Sequence, residues 1–287
     1  MKLLNKLACA AAVALSFAGS ANAGVVLNDW VFNPNGGGFA AGQTINEYLD
    51  VNGNAFIQLN KTSASTFSFV ENAVFNISQA DSNNQNFSQN YAGGNITATF
   101  QAFGTGSFNG AFVFQGGTIK IYQNPTGGQY ATNAGIYGAD LGNNIATFDV
   151  MVGGGGQVDG SGSPVGNGQV SVFAKATAPN GLLPGYFFRG NGADLSNEDI
   201  LSFAFTNANG MQKPTSTLVS EVACEFAGFT GNGCNGQAYA QAPGQYFFVS
   251  NNGQFKLAEV PEPGSLALFG IAMLGAGVVT RKRAKKA

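Results

Sequence analysis

Between about residue 45 and residue 257, apolar and polar residues alternate in short runs broken by glycine and asparagine. Residues 66–70 and 73–77 alternate with period two, as strands with one buried face do. Residues 95–103 repeat the pattern, with Ile96, Ala98 and Phe100 on one face and Thr97, Thr99 and Gln101 on the other. Three hairpins are expected. Residues 45–51 and 54–59 flank Asn52-Gly53, which can supply the positive φ of a type I′ turn. Residues 111–114 and 118–122 flank Gln115-Gly116-Gly117, and residues 246–249 and 254–257 flank Asn251-Asn252-Gly253. Further strands fall at 145–152 and 169–174, with the Gly/Ser-rich stretch 153–168 between them as a boundary or surface loop. About ten short strands at near-regular spacing predict an all-β fold, an antiparallel β-sandwich or jelly-roll-like body. One helical turn is expected at 194–201, with Ser196 as its cap and the acids Asp194, Glu198 and Asp199 serving the helix dipole.

At both ends the pattern changes. Val260-Pro261-Glu262-Pro263-Gly264-Ser265 reads as an extended stalk, because each proline fixes its own φ and biases the residue before it. Residues 266–279 carry no charge and are apolar at Leu266, Leu268, Phe269, Ile271, Leu274, Val278 and Val279. With Ser265 and Thr280 they would form a helix about 24 Å long at ~1.5 Å per residue, short against a hydrocarbon core of about 30 Å. Arg281, Lys282, Arg283, Lys285 and Lys286 follow. Such residues snorkel to headgroups, extend the reach of a short helix and hold their end in the cytoplasm. At the other terminus Lys2 and Lys6 precede an apolar stretch, 7–18, and then Ala21-Asn22-Ala23. That is the form of a secretory signal peptide cleaved after Ala23, with Ala21 and Ala23 as the small-residue pair. The expected organisation is a signal peptide over 1–23, a β-rich extracellular domain over 24–259 and a sorting signal over 260–287.

The proline stalk, apolar segment and basic end together resemble the PEP-CTERM family. The resemblance implies that Pro261, Glu262 and Pro263 are read by an exosortase, a membrane protease-transpeptidase of Gram-negative bacteria that make exopolysaccharide, and that the segment after them is removed. The same C-terminal region has also been labelled after ice-binding proteins that carry it. The implied route runs through the Sec translocon to a transient inner-membrane precursor, then to the cell surface or extracellular matrix.

Composition sharpens the picture for the part between the termini. Residues 24–259 hold six basic residues and fourteen acidic ones, all fifteen of the chain except Glu262, for a net charge of −8. A body so short of cations is not built to bind nucleic acid. The chain's 25 phenylalanines accompany 42 glycines, a density of aromatic residues that disordered glycine-rich chains lack, so a folded domain is expected. Cys224 and Cys234 follow the signal segment, and in an oxidising compartment they are expected to form one structural disulfide.

The candidate chemistry is sparse. The chain has no histidine, which excludes Ser-His-Asp and Cys-His triads and His-containing zinc sites. A glycosidase with two carboxyl groups remains open on residue types alone, but the chain is read as non-enzymatic. No cofactor is expected; calcium is the one candidate, through oxygen donors at Asp159-Gly160-Ser161-Gly162-Ser163 and Asp140-Leu141-Gly142-Asn143-Asn144. Thr97-x-Thr99 has the spacing of an ice-binding threonine row. The surface should be rich in amides and hydroxyls that hydrogen-bond hydrated polysaccharide. Residues 28–39, from Asn28-Asp29-Trp30 onward, and 45–53 resemble flocculation-associated PEP-CTERM proteins. The resemblance implies a surface protein supporting exopolysaccharide-dependent aggregation, flocculation or biofilm. The alternatives are a carbohydrate-binding module presenting Tyr residues with Trp30, an ice-binding or adhesin protein, and a secreted glycan hydrolase.

Overall fold

A computed structural model describes residues 25–80, 95–165 and 168–260. The signal segment with Ala21 and Ala23, the triplet Pro261–Glu262–Pro263, the apolar segment and the basic end lie outside the described residues. Val26–Ala258 form one compact unit. Of the flanking unit, Met1–Val25 with Glu259–Ala287, only the inner ends are described, and there the Glu259 N–H donates to the Val25 carbonyl at 3.0 Å.

Nine strands build the main sheet: β3 (Tyr48–Lys61), β4 (Thr66–Ala80), β5 (Asn95–Ser107), β6 (Ala111–Asn124), β7 (Asn143–Val150), β8 (Gly153–Gln157), β9 (Gln169–Ala176), β11 (Ile200–Met211) and β12 (Tyr246–Glu259). Their order is β11-β12-β3-β4-β5-β6-β7-β9-β8, and the antiparallel pairing of β11 with β9 closes the sheet on itself. The all-β antiparallel body read from the sequence is therefore present, as a barrel. Period-two alternation sorts each strand into a lumen face and an outer face. Phe67, Phe69, Ala73 and Ile77 of β4, with Ile96, Ala98, Phe100 and Ala102 of β5, join the lumen cluster. On the opposite face of β5, Thr97 donates to the Ala139 carbonyl at 2.7 Å, beneath the loop that follows β6.

The three expected hairpins do not form. Each expected turn lies inside one continuous strand, β3, β6 or β12. A barrel this narrow must bend its strands sharply, and a strand bends where a side chain is missing or a residue is inserted. At Gly53 an added Cβ would run into the Val74 carbonyl, and at Gly253 into that of Phe205. The two glycines are corners where backbones press together. In β6 the register against β5 shifts between Phe103 and Gly104, so Gln115-Gly116-Gly117 is a bulge inside the strand. Likewise residues 66–70 and 73–77 belong to one strand, β4. The expected boundary at 153–168 is also corrected: Gly153–Gln157 is β8, paired with both β6 and β9. Glycine suits that position because the β6 and β9 backbones crowd it from both sides.

A second sheet combines β1 (Trp30–Phe32), β2 (Gln43–Ile45) and β10 (Phe187–Phe188) in the order β10-β1-β2. Trp30, Phe32, Ile45 and Phe187 join the barrel cluster, with Trp30 stacked on Phe187 at 6.2 Å between centroids. The Leu27 N–H donates to the Leu257 carbonyl, which places this cap at the end of the barrel where β12 finishes.

A separate apolar cluster covers part of the barrel's outside. Phe56, Val74 and Phe248 point outward from β3, β4 and β12 and meet Leu218, Val219, Val222 and Ala223. Those four lie on a helix that begins with Ser216–Leu218 and widens over Val219–Phe226, where the Ala227 N–H reaches back to the Val222 carbonyl. Thr215 caps it by accepting from the Leu218 N–H at 3.2 Å. The sequence carries this start signal, a threonine before an amphipathic run, in a stretch where alternation predicts no helix. At 194–201 only the short turn Leu195–Asn197 is helical, and its cap is Asp194, which accepts from the Ser196 N–H at 2.9 Å; Ser196 is not the cap.

Candidate functional site

The expected disulfide is present: Cys224 and Cys234 are bonded, tying the wide helical segment to the loop that follows it. Both sulfur-bearing residues pack at the edge of the outer cluster, so the bond acts as a staple.

Several other candidates are used up structurally. Asp194 accepts from the Gly185 N–H as well as from Ser196. Glu198 takes a forked contact from Arg189, and Asp199 pairs with Lys175 at 2.6 Å. The Lys175 and Ala178 bonds hold the Asp199 carboxyl below its ordinary pKa. The three acids that cluster in sequence thus point to three different partners and do not converge on a cleft. Asp159 folds its own loop, accepting from the Ser161 N–H and hydroxyl and from the Ser163 N–H. Asp140 accepts from the Ile136 N–H at 2.8 Å. Among the described residues no three Asp, Glu or Cys side chains gather as a metal site. Trp30, in the cap strand β1, is fully buried, so it cannot stack on a sugar beside tyrosines. Thr97 and Thr99 are buried as well, which removes the threonine pair from any ice-facing surface.

What the barrel does bring together is a row of polar side chains, two of which, Asn52 and Asn252, fall in the expected turns. Asn52 and Asn54 of β3 and Ser250 and Asn252 of β12 occupy outward positions, because Val51, Ala55 and Val249 take the lumen side. Register places Asn52 opposite Asn252 and Asn54 opposite Ser250. Asn252 donates to the Asn52 side-chain oxygen at 2.6 Å. With Tyr130 and Asn209 these residues line an outer groove of about 300 Å³. Tyr130 is anchored from below: its hydroxyl donates to the Val74 carbonyl at 3.1 Å and its ring meets Tyr137 edge-on at 5.4 Å. Burial, with the neighbouring Tyr137, raises the Tyr130 hydroxyl well above the ordinary tyrosine pKa, so it stays a neutral donor. The groove offers hydrogen-bonding groups of both kinds, one aromatic wall and no charge among its lining residues.

The second feature lies inside the barrel, a cavity of about 90 Å³ walled by phenylalanine, isoleucine and valine side chains. Glu71 faces it from β4, and burial pushes its carboxyl up to about 7. The signal for it was legible: Glu71 continues the odd-numbered row of Phe67, Phe69 and Ala73, where period two calls for an apolar residue.

Among the described residues no helix is long and apolar enough to cross a membrane. Over residues 259–283 the chain matches the family model described as the PEP-CTERM protein-sorting motif. It is accordingly an exosortase-sorted protein, exported as a membrane-anchored precursor and directed to the cell surface or beyond it. No curated protein and no solved structure matches the chain.

Proposed function

We propose that the exported domain is a non-catalytic surface or matrix protein that binds hydrated, weakly charged exopolysaccharide and so supports aggregation, flocculation or biofilm. The observation that carries this reading is the paired row of Asn52, Asn54, Ser250 and Asn252 beside Tyr130 on the outer face of the barrel. Amides and hydroxyls exchange hydrogen bonds with sugar hydroxyls at little electrostatic cost, and an aromatic wall can take a sugar face. The net charge of −8 on residues 24–259 disfavours an anionic polymer, so a neutral or amino-sugar chain is the expected ligand. In this reading the domain works without a resident cofactor. Exosortase handles the precursor that the Sec translocon delivers to the inner membrane of a Gram-negative cell, and the processed form carries out the aggregation role.

Titration of the protein with the producing cell's own polysaccharide tests the reading. Asn52→Ala with Asn252→Ala removes two hydrogen-bonding groups and should weaken binding by about tenfold, near 0.7 kcal/mol for each group. Saturable binding that the double variant leaves unchanged would remove the groove from the proposal, and flocs that persist after deletion of the gene would remove the aggregation role.

A further inference from the structure

We infer that the barrel lumen is a binding site for a compact hydrophobic amine, whose ammonium group pairs with the Glu71 carboxylate while its apolar part fills the space between the strands. The groove on the outer face plays no part in this site.

Three observations carry the inference. First, the interior is not packed shut. A cavity of about 90 Å³ remains between the strands, against a requirement of roughly 10–15 Å³ for a single water. On that scale it takes a ligand of roughly six to nine non-hydrogen atoms. Second, an acid is aimed into it. Glu71 is 9 % exposed and stands on the lumen face of β4, opposite Ile57 of β3 and Ala102 of β5. Its neighbours along the same face, Phe69 and Ala73, are apolar too. A glutamate at such a position costs stability unless something compensates its burial. Third, among the described residues no cation lines the lumen to compensate it. From β3, β5, β6, β9, β11 and β12 the lining side chains are apolar apart from the neutral Thr206 and Asn251, and among them Glu71 is the one ionisable group.

The missing partner defines the ligand. An anionic ligand would meet a carboxyl and no compensating charge. A hydrocarbon would fill the space and leave the carboxyl unpaired. An ammonium group satisfies it, and the pairing is strong because the walls exclude water. Binding then has a proton signature. Near pH 7 the free protein carries a partly protonated Glu71, the ligand enters as the ammonium ion, and the carboxyl proton leaves to the buffer.

The test uses the full chain in lipid nanodiscs, with empty nanodiscs subtracted, titrated calorimetrically with benzylamine, benzyl alcohol and benzoate. Glu71→Gln is the paired variant, since it keeps the shape and removes the charge. The expected result is saturable benzylamine binding that falls about tenfold or more in the variant. Benzyl alcohol should bind both forms within about threefold, and benzoate should not bind the unaltered protein. Repeating the benzylamine titration at pH 7 in two buffers of different ionisation enthalpy should show release of about half a proton, absent in Glu71→Gln. The inference is overturned if benzylamine fails to bind, binds the variant equally well, releases no proton, or is outcompeted by benzoate. A thermal melt of the variant separates lost pairing from lost fold, because a folded variant with intact benzyl alcohol binding still has its lumen.

Discussion

Glu71→Gln should flatten the pH dependence of stability. An ordinary glutamate titrates near 4.5, and burial raises Glu71 to about 7. Between those values the folded domain holds a proton that the unfolded chain has released, so stability falls as pH rises. The contribution is fully present below about pH 4.5 and is lost as pH passes through about 7. For a single group with these two values, linkage gives a loss of about 2.5 kcal/mol between pH 5 and pH 8. At 9 % exposure there is little solvent to screen the effect. For a domain of this size it corresponds to about 5–10 °C in Tm. The assay is denaturant unfolding of the domain, residues 24–259, in both forms at half-unit steps from pH 4.5 to pH 8.5. Other acids titrate in that range, but they are shared, so the difference between the two curves isolates residue 71. The glutamine form should be the more stable at pH 8, with the gap closing toward pH 5. Parallel curves would refute the assignment of Glu71 to a dry lumen.

Replacing Cys224 and Cys234 together by serine opens a loop with a sequence separation of 10. In the chain-entropy model this costs about 2.7 kcal/mol, visible as a drop of about 5–11 °C in Tm. A change under about 2 °C would mean that the helical segment is held by the outer cluster alone. Gly253→Ala puts a Cβ against the Phe205 carbonyl and the Thr206 backbone, and should destabilise by about 1–3 kcal/mol on chemical denaturation, whereas a turn glycine outside the sheet would be far more tolerant. Pro261→Ala with Pro263→Ala should leave the precursor uncleaved in the producing cell; mass spectrometry of the extracellular fraction would show loss of the processed form, and normal processing would count against the triplet as the recognition element.

Alternation was readable wherever one face of a strand meets the lumen, as at Ile96, Ala98 and Phe100, because burial on one side imposes period two directly. Turn chemistry misled in β3, β6 and β12. Asn-Gly is a strong hairpin signal when the flanking runs are free to pair with each other, yet the residues on both sides of Asn52-Gly53, within β3, pair with β4 and β12 instead. Nothing local distinguishes a turn glycine from a corner glycine; the difference is set by a strand that lies distant in sequence, as with Gly253 against Phe205. The groove was invisible for the same reason. Asn52 and Asn252 are 200 residues apart, and only the long-range pairing of β12 with β3 sets them side by side. Trp30 failed as a sugar platform because it caps the barrel, a role that residues 28–33 do not announce. The cysteine pair needed no tertiary knowledge, since short spacing and compartment were enough.

Barrel closure also bears on how such a domain could hold cells together. An open sheet offers unpaired edge strands, and proteins that aggregate through edges do so by adding strands to one another. Here, among the described residues, the main sheet has no free edge of that kind, since β9 and β11 pair, and the cap sheet has β2 and β10 at its edges, three and two residues long. Self-association by strand addition is therefore a poor route to aggregation for this molecule. In the proposed reading the cohesive element is the polysaccharide, and the protein contributes a side-chain surface that grips it. The two routes differ in their chemistry. Contacts made through Asn and Tyr side chains are displaced by soluble oligosaccharide competing for the same hydrogen bonds, whereas strand addition is indifferent to sugar and yields only to denaturant. Flocs that disperse in excess oligosaccharide at neutral pH, with the domain still folded, would favour the first; flocs that resist it and dissolve only in guanidinium would favour the second.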